Sequence, residues 1–347
     1  MTEQTKKEID LTIPRDIYNR PRKLESALNK LQCLDDSDRE DILKFVQHMN
    51  DDRTADLTVA GKVGRLITLR EKLKNTFRDA TEDDLRALFN HIETVGWKRN
   101  TEIQYRKYSA AAIEKFRKII KEFYRVIYGK GELPVQVKWI KTKNKKDNTA
   151  KKVDFRQVLS HDQIIKLVEN TQGEQRKALL GAGYELGTRP EELLRLTNLD
   201  LRYEPDGIYC MLRGKTGERE IKVEEFEVTF KLWLENHPLK HEKIFPIWIS
   251  QATNCKNKPL GLRGAEKIAE ERIPEVDSTK AATLYTLRHS RATFLAKMGL
   301  NEPALRLFFG WAENSDEPST YIHLSGRDLN AALAKIYGKE YAQEETN

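Results

Sequence analysis

The chain of 347 residues holds no stretch approaching the ~18 apolar residues of a membrane-crossing helix. Its opening, Met1 to Pro14, is polar and charged and lacks the apolar core of a secretory signal. Cysteine is equally scarce. Cys33, Cys210 and Cys255 are far apart and odd in number, which argues against a disulfide framework and against a zinc cluster. A reducing cytoplasm fits that usage, and neither a metal nor a cofactor is expected. Acidic residues are in mild deficit: 61 Lys and Arg against 54 Asp and Glu give a formal net charge of +7, which favours a polyanionic partner over a basic one.

What is present divides the chain into about two domains. Residues 1–20 carry no period and read as a flexible arm. From there to residue 137 the apolar residues repeat at helical spacing. Leu24, Ala27, Leu28 and Leu31 mark a short helix. Ser37-Asp38-Arg39-Glu40 reads as a capping box opening the next, with Ile42, Leu43, Phe45, Val46 and Met49 inward. Val63, Leu66, Ile67, Leu69 and Leu73 share one helix, and Leu85, Leu88, Phe89 and Ile92 another that Thr81 caps. The spacing then predicts a long amphipathic helix from about Thr101 to Tyr128, striped by Ile113, Phe116, Ile119, Ile120, Phe123 and Tyr124. Residues 138–155 read as a basic linker, because seven lysines between Lys138 and Lys152 face a single acid, Asp147. Lys141, Lys143, Lys145 and Lys146 belong to that run, whose density of positive charge suits a phosphate backbone.

The second domain is placed at 156–328. Ser160 caps its first helix. Thr188 and Glu191 read as a capping box with Pro190 in the first turn, which puts Arg189 in that turn as well. The helix dipole disfavours a cation there by ~0.3–1 kcal/mol, whereas a bound phosphate would gain from both the guanidinium and the helix terminus. Asp206-Gly207 turns the chain into the β-prone Ile208–Leu212. Residues Arg213 to Arg219 read as a hairpin turn with Lys215 at its tip, before Glu220–Val223 returns. Phe226 to Asn236 reads as helix. Further on, Leu284, Leu287, Leu295 and Met298 define one apolar helix face, with Tyr285, Arg288 and His289 at i, i+3 and i+4 converging on the other. A short helix from about Glu302 to Phe309 is ended by Gly310, after which Trp311 and Tyr321 follow. Residues 329–347 hold one more amphipathic helix, with Leu329, Ala332, Leu333, Ile336 and Tyr337, and a polar tail.

Four segments occur in a telling order: Gly187-Thr188-Arg189-Pro190-Glu191-Glu192-Leu193-Leu194-Arg195-Leu196, Gly214-Lys215-Thr216-Gly217-Glu218-Arg219, Leu287-Arg288-His289-Ser290-Arg291-Ala292-Thr293, and Gly310-Trp311 through Tyr321-Ile322-His323. Together they resemble the motif series of the tyrosine recombinases, the phage-integrase family, in detail over roughly Leu159 to Leu324. The loop Ser315-Asp316-Glu317-Pro318 before the tyrosine looks most like archaeal and archaeal-virus members. The resemblance implies a mainly α fold with a small antiparallel β-hairpin sheet, arranged as a two-domain DNA clamp of a helical core-binding domain and a catalytic domain. It also implies strand exchange at double-stranded attachment sites of a viral or plasmid element, without cofactor, by a tetramer assembled on DNA.

In that reading Tyr321 attacks a DNA phosphate and holds its 3′ side, Arg189 and Arg288 grip the nonbridging oxygens, Lys215 protonates the departing 5′-hydroxyl, and Trp311 donates its indole N–H. Lys62, Arg65, Arg106 and Lys107 join the linker lysines as expected phosphate contacts. Tyr285 departs from the family pattern, which has histidine there. A phenol holds its proton at neutral pH and cannot serve as a histidine-like base, so either Tyr285 only hydrogen-bonds the phosphate or another group takes the proton of Tyr321; His289, one turn on, is the obvious substitute, beside a structural role as a buried, hydrogen-bonded histidine. The same constellation also serves type IB topoisomerases, and a DNA-binding protein with decayed chemistry would keep most of it.

Overall fold

The computed structural model describes residues 20–97, 105–129, 131–142, 158–214 and 217–322. The described residues fall into two compact units, one within Tyr18–Thr149 and the other within Ala150–Asn347. Among the described residues no helix is long and apolar enough to cross a membrane, and no cluster of three or more His, Cys, Asp or Glu could hold a metal.

The first unit is all helical: α1 (Arg20–Asn29), α2 (Asp36–Asp51), α3 (Asp56–Arg70), α4 (Glu82–Thr94), α5 (Ala110–Tyr128) and the single turn α6 (Val135–Lys138). The stripe expected on α5 is buried at Phe116, Ile119, Ile120, Phe123 and Tyr124, and it packs on α2 and α3. Phe123 meets Phe45 and Phe77 edge-on at 5.7 and 4.8 Å between ring centres, and the Tyr124 hydroxyl donates to the Phe77 carbonyl. Helix α5 starts later than the periodicity suggests, because Ser109 caps it by accepting from the Ala112 N–H; residues 98–104 lie outside the described part.

Thr81 caps α4 reciprocally with Asp84 as expected. The Ser37 box does not form. Asp35 is the residue before α2, and Asp38 is consumed inside the core, where it accepts from the Phe77 N–H and pairs with Arg70, while Asp41 takes both arms of Arg78. Two buried carboxylates are thus each matched by a guanidinium. Beyond α6 the chain stays in this core as far as Ile140, which is buried, and Trp139, whose ring lies under the Arg86 guanidinium at 4.3 Å.

The second unit contains α7 (His161–Asn170), α8 (Glu174–Glu185), α9 (Pro190–Arg195), a three-stranded antiparallel sheet, α10 (Glu227–Glu235), α11 (Leu262–Val276), α12 (Leu284–Lys297), α13 (Glu302–Phe309) and α14 (Glu317–Ile322). Helix α8 is buried on all sides from Ala178 to Glu185 and forms the centre, contacting α7, α10 and α12. Its glycines permit that closeness: a Cβ on Gly183 would stand 3.2 Å from both Leu193 and Leu287. The small antiparallel sheet expected from sequence has three strands. Strand β1 (Leu201–Glu204) pairs with β2 (Gly207–Gly214), which pairs with β3 (Gly217–Val223). Arg219 is not in the turn but inside β3 opposite Leu212, and Gly214 pairs with Gly217. Period-2 alternation puts Arg219, Ile221 and Val223 on the covered face.

Helix α12 also departs from expectation. Met298 is its C-cap and is 70% exposed, whereas Arg288, assigned from sequence to the polar face, is 4% exposed. The helix is covered on most sides by α7, α8, α11, α13 and α14, so a single apolar stripe does not describe it. The C-terminal segment 329–347 lies outside the described residues, as do Lys143, Lys145 and Lys146.

Candidate active site

The site forms where α8 ends. Gly187 follows the helix with φ +56°, a left-handed conformation that a side chain resists, and a Cβ there would lie 2.5 Å from the Phe309 ring. This tight turn aims two functional groups at once. The Gly187 carbonyl accepts from Arg288 Nη1 at 2.6 Å, and two residues later Arg189 takes the N-cap position of α9. The capping pair differs from the expected Thr188 and Glu191. Glu192 is three residues past Arg189, and its Oε2 accepts from the Arg189 N–H at 3.0 Å while Oε1 accepts from the same residue's Nη1 at 2.8 Å. Thr188 is buried instead.

Glu192 is the electrostatic hub. Besides Arg189 it accepts from Arg219 Nη2 at 2.7 Å, and it lies 3.9 Å from Arg288 Nη1. Burial would push its carboxyl up, but the hydrogen bond and charge of Arg219 and then those of Arg189 outweigh burial and hold it below the usual carboxylate range. Arg288 shows the converse: burial first, then repulsion from Arg189 and Arg219, bring its guanidinium down to about 10 against the pull of Glu192. It remains charged at neutral pH. Three guanidiniums around one carboxylate leave excess positive charge in a covered place, the condition for an anion to be drawn in.

Each of the three arginines has a second anchor, and the three anchors are consecutive. Arg219 Nε donates to the Phe308 carbonyl at 2.7 Å, Arg288 Nη2 to Phe309 at 2.8 Å and Arg189 Nη2 to Gly310 at 3.2 Å. These carbonyls sit at the end of α13, where no further helical N–H is available to them and where the helix dipole favours cations. Gly310 closes the helix in the left-handed conformation, φ +55° and ψ 53°, as its position in the sequence predicts.

From Gly310 the chain leads to Trp311 and on to Tyr321 in α14. The 312–315 loop between them is gathered by one side chain: Arg306 Nη1 donates to the carbonyls of Ala312, Glu313 and Ser315 at 3.0, 2.6 and 2.7 Å. Tyr321 is 2% exposed, stacked on Trp311 with ring centres 5.5 Å apart and planes at 12°, and its hydroxyl is 2.5 Å from His289 Nδ1. Burial, and then the charge of Glu317, raise the phenol's pKa, while Arg288 opposes them. His289 is shifted down by burial and then by Arg288, with Glu317 opposing, so it is neutral at neutral pH.

Of the residues expected from sequence, Arg189, Arg288, Trp311, Tyr321 and His289 come together around the end of α13 and the faces of α12 and α14. Trp311 also covers Arg288, whose Cζ is 5.6 Å from its ring centre. Tyr285 is held at the rim, 42% exposed, with its ring 6.2 Å from that of His289. Lys215 and His323 lie outside the described residues. Sequence reasoning passed over Glu192, Arg219 and Arg306. In the other unit, Lys62 pairs with Glu122 at 2.5 Å, Arg65 donates to the Gly61 carbonyl at 2.9 Å, Arg106 lies over the Trp97 ring, and Lys107 and Lys141 are exposed.

Residues 157–327, which contain every side chain of this site, match the model of the phage integrase family. The match spans just under half of the chain. The tyrosine recombinase XerD of Halalkalibacterium halodurans is 26% identical over 191 residues, which cover 52% of this chain and 61% of that protein; the chain thus matches about three fifths of this curated relative's length. Among solved structures, the XerH site-specific recombinase bound to a palindromic difH substrate in a post-cleavage complex aligns at TM-score 0.59 and 17% identity, over 93% of this chain and 97% of that one. A lambda integrase tetramer bound to a Holliday junction aligns at 0.55 and 14%, over 80% and 78%. At these identities the integrase-family likeness establishes a shared fold, mostly helical with the small antiparallel sheet.

Proposed function

We propose that the protein is a site-specific DNA recombinase that cuts and rejoins double-stranded attachment sites through a 3′-phosphotyrosine, integrating and excising a viral or plasmid element. The observation that carries this reading is the pairing of one buried tyrosine hydroxyl with a cluster of three arginines anchored on the same turn of chain. Tyr321 supplies the nucleophile. Arg189 and Arg288 receive the nonbridging oxygens, and as the transition state gathers negative charge their donors are already in place. Lys215 delivers the proton to the leaving 5′-oxygen. The helical unit and the linker lysines, with Lys62, Arg65, Arg106, Lys107 and Lys141 to Lys146, provide sequence-independent backbone contact as the other half of a clamp. The working assembly is a tetramer spanning two sites, in the host cytoplasm. The loop before Tyr321 supports an archaeal or archaeal-virus origin.

The test is a covalent trap. Duplexes tiled across the element that carries the gene, each nicked near the scissile position so that the released strand diffuses away, are incubated with the protein and denatured in detergent, and the attached peptide is identified by mass. The expected result is an adduct at one sequence, on the peptide containing Tyr321. Adducts at every sequence would indicate a topoisomerase, and tight binding with no adduct a DNA-binding protein without the chemistry.

The Arg306 clasp makes a further expectation. Arg306→Ala frees the loop that sets the position of α14, and misplacing a nucleophile by about 1 Å costs on the order of 10²-fold. Adduct formation should slow by about that factor while DNA affinity stays within twofold, which a filter-binding titration beside the trap would check.

A further inference from the structure

The integrase-family segment has tyrosine at 285, where the resemblance expects the proton acceptor, and the structure puts a different group on the nucleophile. We infer that His289 is the catalytic base: its Nδ1 takes the proton of Tyr321 during strand cleavage and returns it during rejoining. This rests on the reading of Tyr321 as the nucleophile.

The geometry is direct. His289 Nδ1 and the Tyr321 hydroxyl are 2.5 Å apart, a direct hydrogen-bond contact with no room for an intervening group. A phenol has one hydrogen to give. With Nδ1 accepting it, the ring hydrogen of neutral His289 sits on Nε2. The two rings lie nearly parallel, 26° between planes and 6.1 Å between centres; Tyr321 also stacks on Trp311 at 5.5 Å, and the Tyr285 ring lies 6.2 Å from that of His289. This stack fixes the orientation of the donor–acceptor pair. Tyr285 is held at the rim instead, 42% exposed, with its ring 6.2 Å from that of His289.

The charged groups around the imidazole agree with a base that starts neutral and becomes charged only in the reaction. Burial acts first, Arg288 on its own helix disfavours the imidazolium, and Glu317 on α14 favours it. In the cleavage step the Oη–H bond of Tyr321 breaks toward Nδ1 as the Oη–P bond forms and the P–O5′ bond breaks. The 5′-oxygen takes a separate proton from the leaving-group side. No net electron transfer occurs, and the imidazolium gives its proton back to Oη when the 5′-hydroxyl displaces the phosphotyrosine. The register of the motif has in effect moved by four residues, one turn of α12, from position 285 to position 289.

The test compares wild type, His289→Gln and His289→Ala for the rate of adduct formation on the nicked duplex that wild type cleaves, from pH 5 to pH 9. For wild type the rate is expected to rise as His289 loses its proton, below the ordinary imidazole range, and then to level off. Both variants should be slower at pH 7 by 10²- to 10⁴-fold. Their plateau should vanish, the rate continuing to rise through pH 9, and added imidazole should restore His289→Ala in part. DNA affinity and the thermal midpoint of the Gln variant, which keeps a hydrogen-bond acceptor, separate proton transfer from loss of fold. Equal rates with an unchanged pH profile in the variants would overturn the inference while leaving Tyr321 as nucleophile. Failure of wild type itself to form an adduct would instead remove the recombinase reading and the inference with it.

Discussion

Replacing Tyr321 by phenylalanine is expected to abolish the covalent adduct, lowering cleavage by at least about 10⁴-fold, as removal of a covalent nucleophile does elsewhere. The change deletes one oxygen from a ring that is otherwise retained. Stacking on Trp311 and burial beside Ala292, Ala296, Leu305 and Phe309 do not depend on the hydroxyl. What folding loses is the bond to His289, about 1 kcal/mol net for a hydrogen bond of this kind. The variant should therefore melt within a few degrees of wild type and bind the same duplexes. A labelled nicked duplex resolved on a denaturing gel measures the adduct, and gel retardation measures binding. An adduct that survives in Tyr321→Phe would move the nucleophile elsewhere, with Tyr285 the first tyrosine to examine.

Glu192→Ala should be the most destabilising single change in the site. The carboxylate balances Arg189, Arg219 and Arg288, and without it three guanidiniums face one another under cover with no counter-charge. Breaking one partner out of a buried ionic network costs about 3–5 kcal/mol. In a unit of this size that corresponds to a fall in melting midpoint on the order of 10 °C. Because Glu192 titrates below the usual carboxylate range, its contribution is present at neutral pH and is lost as the pH falls through its depressed folded-state pKa. The wild-type protein should thus approach the variant's stability in acid, and the difference between the two should shrink there.

A distinguishing sign comes from anions. Sulfate or phosphate can take the vacated counter-charge, so adding either should raise the variant's midpoint more than that of wild type. Calorimetry at two pH values with and without sulfate decides the matter. A midpoint unmoved by the substitution would mean that Glu192 does not carry the balance described above.

How far the sequence foretold this arrangement can be followed residue by residue. That Arg189, Arg288, Trp311 and Tyr321 come together was legible from the order of their motifs, and the end of α13 was legible because Gly310 supplies the left-handed turn. Ser160 and Thr81 announced their helices correctly. Glu192 was missed by one position: the capping rule reads hydroxyl-to-acid spacing, and Thr188 with Glu191 satisfied it on paper, whereas the chain begins α9 one residue later. Arg219 was assigned to a turn, although the alternation Arg219, Ile221, Val223 carried the signal that it faces inward.

Other misses have a different cause. Strand β1, Leu201–Glu204, is short and mostly exposed, so it lacks a hydrophobic alternation strong enough to read, and what identifies it is its pairing with β2. The burial of Arg288 was illegible because helix periodicity sorts residues by polarity. A guanidinium held by the Gly187 and Phe309 carbonyls breaks that sorting through partners about 100 and about 20 residues away.

The three arginine anchors at the end of α13 have an evolutionary consequence. Carbonyls 308, 309 and 310 belong to the main chain, so the hydrogen bonds that hold Arg219, Arg288 and Arg189 do not depend on the side chain at 308, whereas at 309 the ring also lies 5.1 Å from the Arg288 Cζ. Exchange of one apolar residue for another at 308 should leave the three carbonyl anchors in place. Only a lesion in the backbone path itself, such as proline at 310 where φ is +55°, would be felt by all three at once. The turn is thus permissive to inherited variation in what it displays and intolerant of variation in how it bends.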